Sequence, residues 1–345
     1  MTPQRTRIFH VANIGARGRV FSCMTKSDRI RTLAIAGLAV AAMLALPRSA
    51  PAQTCDTQGP AGTGYAAGVN CRTVALDGID RRYLVYIPRE RSRPAPVVFM
   101  FHGSSGDGEQ FLRTSGWREQ ADREGLLAVF PTGLRYRVLE SGRRVTKWND
   151  YSLPGEVDLN ELPPGYPEGS PMPANDVGFV DLVMEDLLAE LPIDRRRVYA
   201  SGFSNGANFA ARVAADRSTR IAAAAYSGGG LTEVRVPDRP VPTYVTVGTE
   251  DAKILEGTGL TELPLDPVDI LTSPVVRPFI DLHLATLGLD PDLFAAVARS
   301  RTTSLRWPGT GSAVLRFGMV GGMGHQYPDE LVPEFSSFFR DHPLP

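Results

Sequence analysis

A serine framed by two glycines is the first group in this sequence that could do chemistry. Residues 202–206 read Gly-Phe-Ser-Asn-Gly, and the pattern G-x-S-x-G is typical of a serine held on a sharp turn between a strand and a helix. Small residues are needed around that serine because the turn is tight. The hydroxyl group of Ser204 could then attack a carbonyl carbon, provided that a base and an acid assist it.

The base must come from a small set of histidines. After residue 52 the chain has only four, His102, His283, His325 and His342. His342 lies near the last residue, His283 is flanked by leucines in a predicted helix, and His102 follows a buried strand, where a hydrogen-bonded structural role fits better. His325 lies in a glycine-rich loop after the last predicted strand. By elimination, His325 is the expected base.

The acid should follow a strand between the serine and the histidine, in the chain order serine, acid, histidine. The predicted strand 241–247 ends in Gly-Thr-Glu-Asp, so Glu250 and Asp251 both qualify. An attacked carbonyl also needs two N–H donors for its developing negative charge. The residue after the nucleophile, Asn205, supplies one from its backbone, and the loop after strand 96–101 supplies the other, with Ser104 favoured and Ser105 as its neighbour.

Strands and helices alternate along the chain, which predicts a mostly parallel central sheet with helices on both faces, an α/β fold in a single domain at 53–345. A hairpin with an Asp77-Gly78 turn is expected first. The strands are predicted at 71–76, 82–87, 96–101, 126–130, 198–200, 221–226, 241–247, 304–307 and 313–317. The helices are predicted at 108–124, 176–191, 205–216, 278–287, 291–298 and 330–339.

Residues 134–174 interrupt this rhythm with six prolines and several aromatic residues. A long proline-rich segment in a compact domain is usually functional, so we expect a lid or wall over a substrate pocket. Trp148 is the expected pocket residue of this insertion, with the alternative that it pins the insertion to the body of the domain. Phe203 and Tyr327, beside the serine and the histidine, are further pocket candidates. The spacing of Glu156, Asp158, Glu161 and Glu168 matches no calcium loop and indicates a solvated face, so no metal site is predicted.

The N-terminal residues predict export. Basic residues precede an apolar run from Leu33 to Leu46, and Ala50-Pro51-Ala52 resembles a signal-peptide cleavage site, so residues 1–52 are expected to be removed. The true start could be Met24, and Gln53 is then the first mature residue. The apolar run is short for a membrane span, so no stable membrane anchor is predicted and the protein is expected to be secreted.

The mature chain would be acidic. Removal of residues 1–52 takes away eight basic residues and one acidic residue, which leaves 29 Lys+Arg against 37 Asp+Glu. This balance argues against nucleic acid as a partner. Two cysteines remain, Cys55 and Cys71, and in an exported chain such a pair predicts a disulfide.

These motifs resemble a family, the secreted α/β-hydrolase esterases grouped as feruloyl esterases and polyhydroxybutyrate (PHB) depolymerase-like proteins. The resemblance covers roughly residues 82–227 and isolated motifs as far as Pro328. Its markers are Arg-Tyr-Leu-Val-Tyr at 82–86, His-Gly at 102–103, Asp-Val-Gly-Phe at 176–179, Gly-Thr-Glu-Asp at 248–251 and Gly-His-Gln-Tyr-Pro at 324–328. It implies that Asp251 is the acid. Family members often carry cysteines where this chain has Ser104 and Lys147.

The resulting expectation is a serine carboxylic ester hydrolase that works through an acyl-enzyme, as a monomer and without a cofactor. Small-molecule or polymeric esters are the expected substrates, with feruloyl or acetyl esters of plant polysaccharide favoured over polyhydroxyalkanoates. One alternative is a non-catalytic binding protein, because the same fold can host other functions. The other is a serine peptidase, because a peptidase uses the same attack.

Overall fold

A β-sheet of eleven strands runs through the described part of the chain, which comprises residues 56–299 and 301–345 of a computed structural model. All of these residues belong to one compact unit. The expected leader at 1–52 and Cys55 lie outside the described residues. The cleavage site and the Cys55–Cys71 disulfide therefore stay predictions.

The strands of the main sheet follow the order β1-β2-β3-β5-β4-β8-β9-β10-β13-β12-β11. The neighbours from β5 to β13 are parallel, whereas β3 and β12 run antiparallel to the strands beside them. The hairpin β6-β7 forms a separate small sheet. The strands are β1 Thr57–Pro60, β2 Gly68–Leu76, β3 Ile79–Ile87, β4 Ala95–Phe101, β5 Leu127–Pro131, β6 Leu134–Arg137, β7 Arg144–Lys147, β8 Ile193–Phe203, β9 Ala223–Ser227, β10 Thr243–Gly248, β11 Ala295–Ala298, β12 Thr302–Pro308 and β13 Val314–Val320.

Helices cover both faces of this sheet, and strand β4 shows why. Val97, Phe99 and Phe101 alternate with Val98 and Met100, all of them buried, and the two sets belong to different hydrophobic clusters. A strand that is apolar on both sides requires a helical layer on each face. The helices are α1 Gly108–Thr114, α2 Trp117–Glu124, α3 Leu153–Glu156, α4 Asp176–Glu190, α5 Asn205–Asp216, α6 Ala252–Leu255, α7 Pro267–Thr272, α8 Arg277–Leu287 and α9 Val332–Asp341, with a 3-10 turn at Asp329–Leu331.

The expected hairpin forms between β2 and β3. Asp77 and Gly78 connect the two strands with φ angles of 53° and 79°. Two consecutive left-handed residues are the conformation that a tight two-residue hairpin requires, and Asp-Gly adopts it at low cost. At α4 the side chain of Asn175 accepts a hydrogen bond from the Gly178 N–H at 2.9 Å, as expected of a residue that caps a helix.

Two expectations about single elements are wrong. The helix predicted at 108–124 is interrupted, because Gly116 takes a left-handed φ of 77° and the chain turns there between α1 and α2. No helix forms at 291–298: residues 291–294 are a turn and irregular chain, and residues 295–298 are the short strand β11, which pairs with β12. A run of three alanines and one valine has no strong helical period, and pairing with the edge of the sheet decides its conformation.

The proline-rich insertion at 134–174 is folded rather than irregular. It contains β6, β7 and α3, and it has a small apolar core of its own formed by Tyr136, Leu153, Val157, Tyr166 and Ala174. Several charged contacts hold it as well, among them Arg144 with Glu161 and Lys147 with Glu156. The segment is therefore built to keep a fixed shape.

Candidate active site

Ser204 occupies the sharp turn between β8 and α5. Its φ and ψ angles are 54° and −125°, a region that non-glycine residues rarely adopt and that is found where the surrounding structure imposes it. The flanking glycines make the turn possible. A Cβ on Gly202 would lie 2.1 Å from the carbonyl oxygen of Gly206, and a Cβ on Gly206 would lie 2.3 Å from that of Phe101. The motif therefore folds as its spacing predicts.

The side chains of Ser204, His325 and Asp251 form a continuous hydrogen-bonded series. Nε2 of His325 lies 2.9 Å from Oγ of Ser204, and Nδ1 of His325 lies 2.9 Å from each carboxylate oxygen of Asp251. A carboxylate at Nδ1 keeps the proton on that nitrogen and leaves the lone pair of Nε2 facing the serine. Ser204 and Asp251, both expected to act with His325, are thus each within hydrogen-bond distance of its ring.

Of the two candidate acids, only Asp251 contacts the histidine. Its side chain is 1% exposed, and it also accepts hydrogen bonds from the backbone N–H groups of Lys253 and Ile254, at 3.0 and 3.3 Å, at the start of α6. Glu250 is exposed, and its backbone N–H donates to the carbonyl of Met323 at 3.0 Å. That bond joins the loop of the acid to the loop of His325.

The candidate oxyanion donors lie on two separate segments, the loop after β4 and the first residue of α5. Asn205 is the first residue of α5, and in the described part of the chain neither its N–H nor that of Ser104 has a hydrogen-bond partner. The N–H of Ser105, by contrast, donates to the carbonyl of Thr146 at 2.9 Å. A Cβ on Gly103 would lie 3.3 Å from Cβ of Ser204, so the Ser104 loop runs directly beside the nucleophile. This arrangement favours Ser104 over its neighbour.

Trp148 does not line a pocket, which corrects the expectation from the sequence. Its side chain is fully buried, and its ring stacks on Phe209 with centroids 4.9 Å apart and lies edge-on to Phe101 at 5.4 Å. The indole N–H donates to the carbonyl of His102 at 2.9 Å. With no surface exposed, Trp148 anchors the insertion to the core and cannot stack on an acyl group.

Phe203 and Tyr327 lie near the site in different ways. Phe203 is partly exposed, and its ring centroid is 4.8 Å from that of His325, so it stays a candidate pocket residue. The hydroxyl of Tyr327 accepts from the indole of Trp117 at 2.8 Å and lies 2.9 Å from Oγ of Ser201. Burial raises the pKa of Tyr327. Its hydroxyl therefore holds the His325 loop to the core rather than meeting substrate.

Two other histidines are buried structural residues. In His102, Nδ1 lies 2.8 Å from the carbonyl of Gly103, and Nε2 accepts from the N–H of Gly133 at 3.0 Å. In His283, Nδ1 lies 2.8 Å from the carbonyl of Phe279. Burial lowers the pKa of each imidazole to about 4, which keeps both rings neutral at ordinary pH. Neither imidazole hydrogen-bonds to Ser204.

Sequence reasoning missed the polar contacts behind the nucleophile. Asp150 is 1% exposed, and its carboxylate accepts from the side-chain amides of Asn205 at 2.9 Å and Asn208 at 3.0 Å. The sequence did not single out Asp150, which lies buried against α5. Asp150 directly follows Trp148 and Asn149 in the sequence, but no local pattern indicates which acid of the insertion will be buried.

A cavity of about 400 Å³ lies next to the loop that carries Ser104, lined by Asp107, Thr132, Arg135 and Thr146 among others.

Among the residues that the structure describes, no group of three His, Cys, Asp or Glu side chains is arranged to hold a metal ion. Within the same residues no helix has the length and apolarity needed to cross a bilayer.

The described residues have an α/β-hydrolase fold, and comparison with known structures agrees. An acetyl xylan esterase from Aspergillus awamori superposes with a TM-score of 0.52 at 14% identity, over 79% of this chain and 99% of the other. Identity at that level establishes the fold alone. The predicted α/β-hydrolase fold is thereby confirmed.

Relatives in sequence are esterases by name. NocK of Nocardia uniformis subsp. tsuyamanensis, whose name carries esterase as an inferred activity, is 28% identical over 287 residues, 77% of this chain and 76% of NocK. Feruloyl esterase D of Neurospora crassa is 24% identical over 217 residues, 62% of this chain and 66% of that protein. No family model matches the chain. The predicted resemblance to esterases is confirmed, and fold and relatives together support a carboxylic ester hydrolase.

Proposed function

We propose that this protein is a serine esterase that cleaves carboxylic esters through an acyl-enzyme. The observation that carries the proposal is the hydrogen-bonded series from Ser204 Oγ through His325 to the buried carboxylate of Asp251, with each contact at 2.9 Å. A serine hydroxyl is a weak nucleophile at neutral pH and needs a base that a carboxylate orients. The chain supplies both groups in the geometry that this chemistry requires.

In the first step, Nε2 of His325 takes the hydroxyl proton while Ser204 Oγ forms a bond to the ester carbon. The N–H groups of Ser104 and Asn205 donate to the oxyanion of the tetrahedral intermediate. The imidazolium then protonates the leaving alcohol, and the acyl group stays on Ser204. Asp251, accepting from Nδ1, stabilises the imidazolium in both half-reactions. Water, activated by the same Nε2, releases the acid and restores Ser204.

Feruloyl or acetyl esters carried by plant polysaccharide are the substrates that we favour. The support is the feruloyl esterase among the relatives, together with the acetyl xylan esterase of the same fold. Polyhydroxyalkanoates are the second candidate, from the sequence motifs shared with PHB depolymerase-like proteins. With Trp148 buried, Phe203 is the aromatic side chain left beside His325 to contact an aryl group. We propose as well that the protein is exported and that it acts as a monomer.

Labelling and turnover together test the proposal. A fluorophosphonate probe should modify Ser204, as mass spectrometry of the digested protein would show, and Ser204→Ala should lose both labelling and at least about 10³-fold in kcat on p-nitrophenyl acetate. Ser170→Ala, a serine in a turn of the insertion, is the matched control and should keep both. Labelling of another serine, or wild-type turnover by Ser204→Ala, would overturn the assignment.

A substrate panel then separates the alternatives. Turnover of acetyl and feruloyl esters with none of peptide amides supports the esterase. Preference for polyhydroxybutyrate would select the second candidate. Hydrolysis of amides alone would make the protein a peptidase, and a folded protein with no turnover and no labelling would make it a binding protein.

A further inference from the structure

The segment Trp148–Asp150, here called the brace, contacts both segments that carry the candidate oxyanion donors, the start of α5 and the loop after β4. On one side, the backbone N–H of Trp148 donates to Oδ1 of Asn205 at 2.7 Å, and the carbonyl of Trp148 accepts from Nδ2 of Asn205 at 3.3 Å. On the other side, the indole N–H of Trp148 donates to the carbonyl of His102, two residues before Ser104. One buried residue thus joins the two halves of the oxyanion hole.

Asp150 is the second residue of the brace that contacts Asn205. Its carboxylate accepts from the side-chain amides of Asn205 and Asn208, and from Ser152 through both its N–H at 3.1 Å and its hydroxyl at 2.9 Å, as well as from the N–H of Leu153 at 2.9 Å. Burial raises the pKa of Asp150, whereas the N–H groups of Asn205, Asn208, Ser152 and Leu153 that donate to it favour the ionised carboxylate. The amide of Asn205 is therefore held at both ends.

The need for such a brace follows from the chain. Ser104 and Asn205 lie about a hundred residues apart in the sequence, one in a loop and the other at the start of a helix, so no local geometry sets the distance between their N–H groups. Oxyanion donors act when they lie about 2.7–3.1 Å from the oxygen, and displacements of about 0.5 Å already reduce catalysis. The ring of Trp148 packs against both Phe209 and Phe101, and these two rings also contact each other, so close packing restricts the movement of the indole.

We propose that Trp148 and Asp150 are positioning residues that set the spacing of the Ser104 and Asn205 N–H groups. The inference rests on the proposed function, because only an enzyme that forms an oxyanion needs this spacing. Neither side chain touches substrate. Their contribution would therefore appear in the transition state and not in the binding of the ester.

Two substitutions with matched controls test the inference. Trp148→Phe removes the indole N–H, and Trp307→Phe does the same to a fully buried tryptophan whose indole donates to the carbonyl of Pro291 at 3.2 Å, outside the site. Asp150→Asn weakens a buried acceptor, and Asp186→Asn does the same to a carboxylate that accepts from Tyr83 at 2.6 Å.

The expected result is a split between kcat and KM. Trp148→Phe and Asp150→Asn should lose about 10- to 100-fold in kcat, less than the loss of a whole oxyanion donor, with KM changed less than about threefold. The Kd of phenylboronic acid, which forms a tetrahedral adduct on the serine, should rise by a factor similar to the loss in kcat. The two controls should lower the melting temperature by similar amounts and leave kcat and the boronic acid Kd unchanged.

Equal losses of kcat in the brace variants and their controls would overturn the inference and reduce the brace to ordinary core packing. A rise in KM with kcat unchanged would overturn it too. If Trp148→Phe does not fold, the pair Asp150→Asn and Asp186→Asn carries the same comparison. Failure of the proposed function is a separate outcome, since the wild-type protein would then show neither ester turnover nor labelling of Ser204.

Discussion

Replacement of Asp251 by asparagine should abolish most of the activity while leaving the fold intact. Both carboxylate oxygens lie 2.9 Å from Nδ1 of His325. An asparagine of the same size can still accept the N–H bonds of Lys253 and Ile254 through its oxygen, which turns its NH₂ group towards Nδ1. The imidazole must then accept at Nδ1 and carry its proton on Nε2, where it has no lone pair to take the proton of Ser204.

The size of this effect follows from that tautomer. Where an asparagine replaces the acid of such a triad, kcat falls about 10³- to 10⁴-fold, equivalent to about 4 to 5.5 kcal/mol in the activation free energy. Stability should change little. Asparagine caps a helix about as well as aspartate, so the start of α6 keeps its two hydrogen bonds to the capping side chain. Steady-state kinetics on p-nitrophenyl acetate and thermal melting would measure the two quantities on the same samples.

Glu250→Gln is the matched control for this prediction. Glu250 precedes Asp251 in the same loop, and its side chain is exposed, so the loss of its charge should leave kcat within about twofold and the melting temperature unchanged. A larger loss in Glu250→Gln than in Asp251→Asn would refute the tautomer reasoning. Near-normal turnover by Asp251→Asn would do the same.

Two further predictions concern export and acid stability. Sequencing of the secreted protein should begin near Gln53, and non-reduced peptide maps should show Cys55 linked to Cys71; free thiols there would exclude the link. Burial lowers the pKa of His283 to about 4, so as the pH falls the imidazole takes up its proton in the unfolded chain before it does so in the folded protein. The stability that the neutral ring contributes, on the order of 3 kcal/mol, is complete above about pH 6.5 and is lost as the pH falls towards 4. Melting temperatures across that range should fall less steeply in His283→Gln, and parallel curves would contradict the assignment.

Much of the candidate site could be predicted because its signals are local. The turn at Ser204 requires small residues at fixed positions, so Gly202 and Gly206 can be recognised without a fold. His325 could be selected by elimination, and the chain order then limited the acid to the end of one strand. The residues themselves left Glu250 and Asp251 both open, and the family resemblance chose between them. In the structure it is Asp251 that turns inward to Nδ1 of the histidine.

The alternation of strands and helices was also a property of the sequence. Continuous apolar runs such as 96–101 require cover on both faces, which predicts a parallel sheet between two helical layers. The errors fell where that signal was weak. The apolar periodicity predicts one helix through Gly116, but the chain turns at this glycine. The alanine-rich residues 295–298 were predicted as helix and instead pair with a neighbouring strand.

What only the tertiary structure decided is the role of Trp148. The sequence by itself determined that a large aromatic residue lies in a proline-rich insertion, and such a residue can equally line a pocket or pin the insertion to the core. The choice depends on which surfaces lie within reach once the insertion packs, and here they are the ring of Phe209, the carbonyl of His102 and the amide of Asn205. These groups come from two parts of the chain, helix α5 and the residue after β4, and both parts are distant in sequence from Trp148. No pattern of neighbouring residues encodes their meeting, because burial and hydrogen bonding between distant segments are properties of the packed fold.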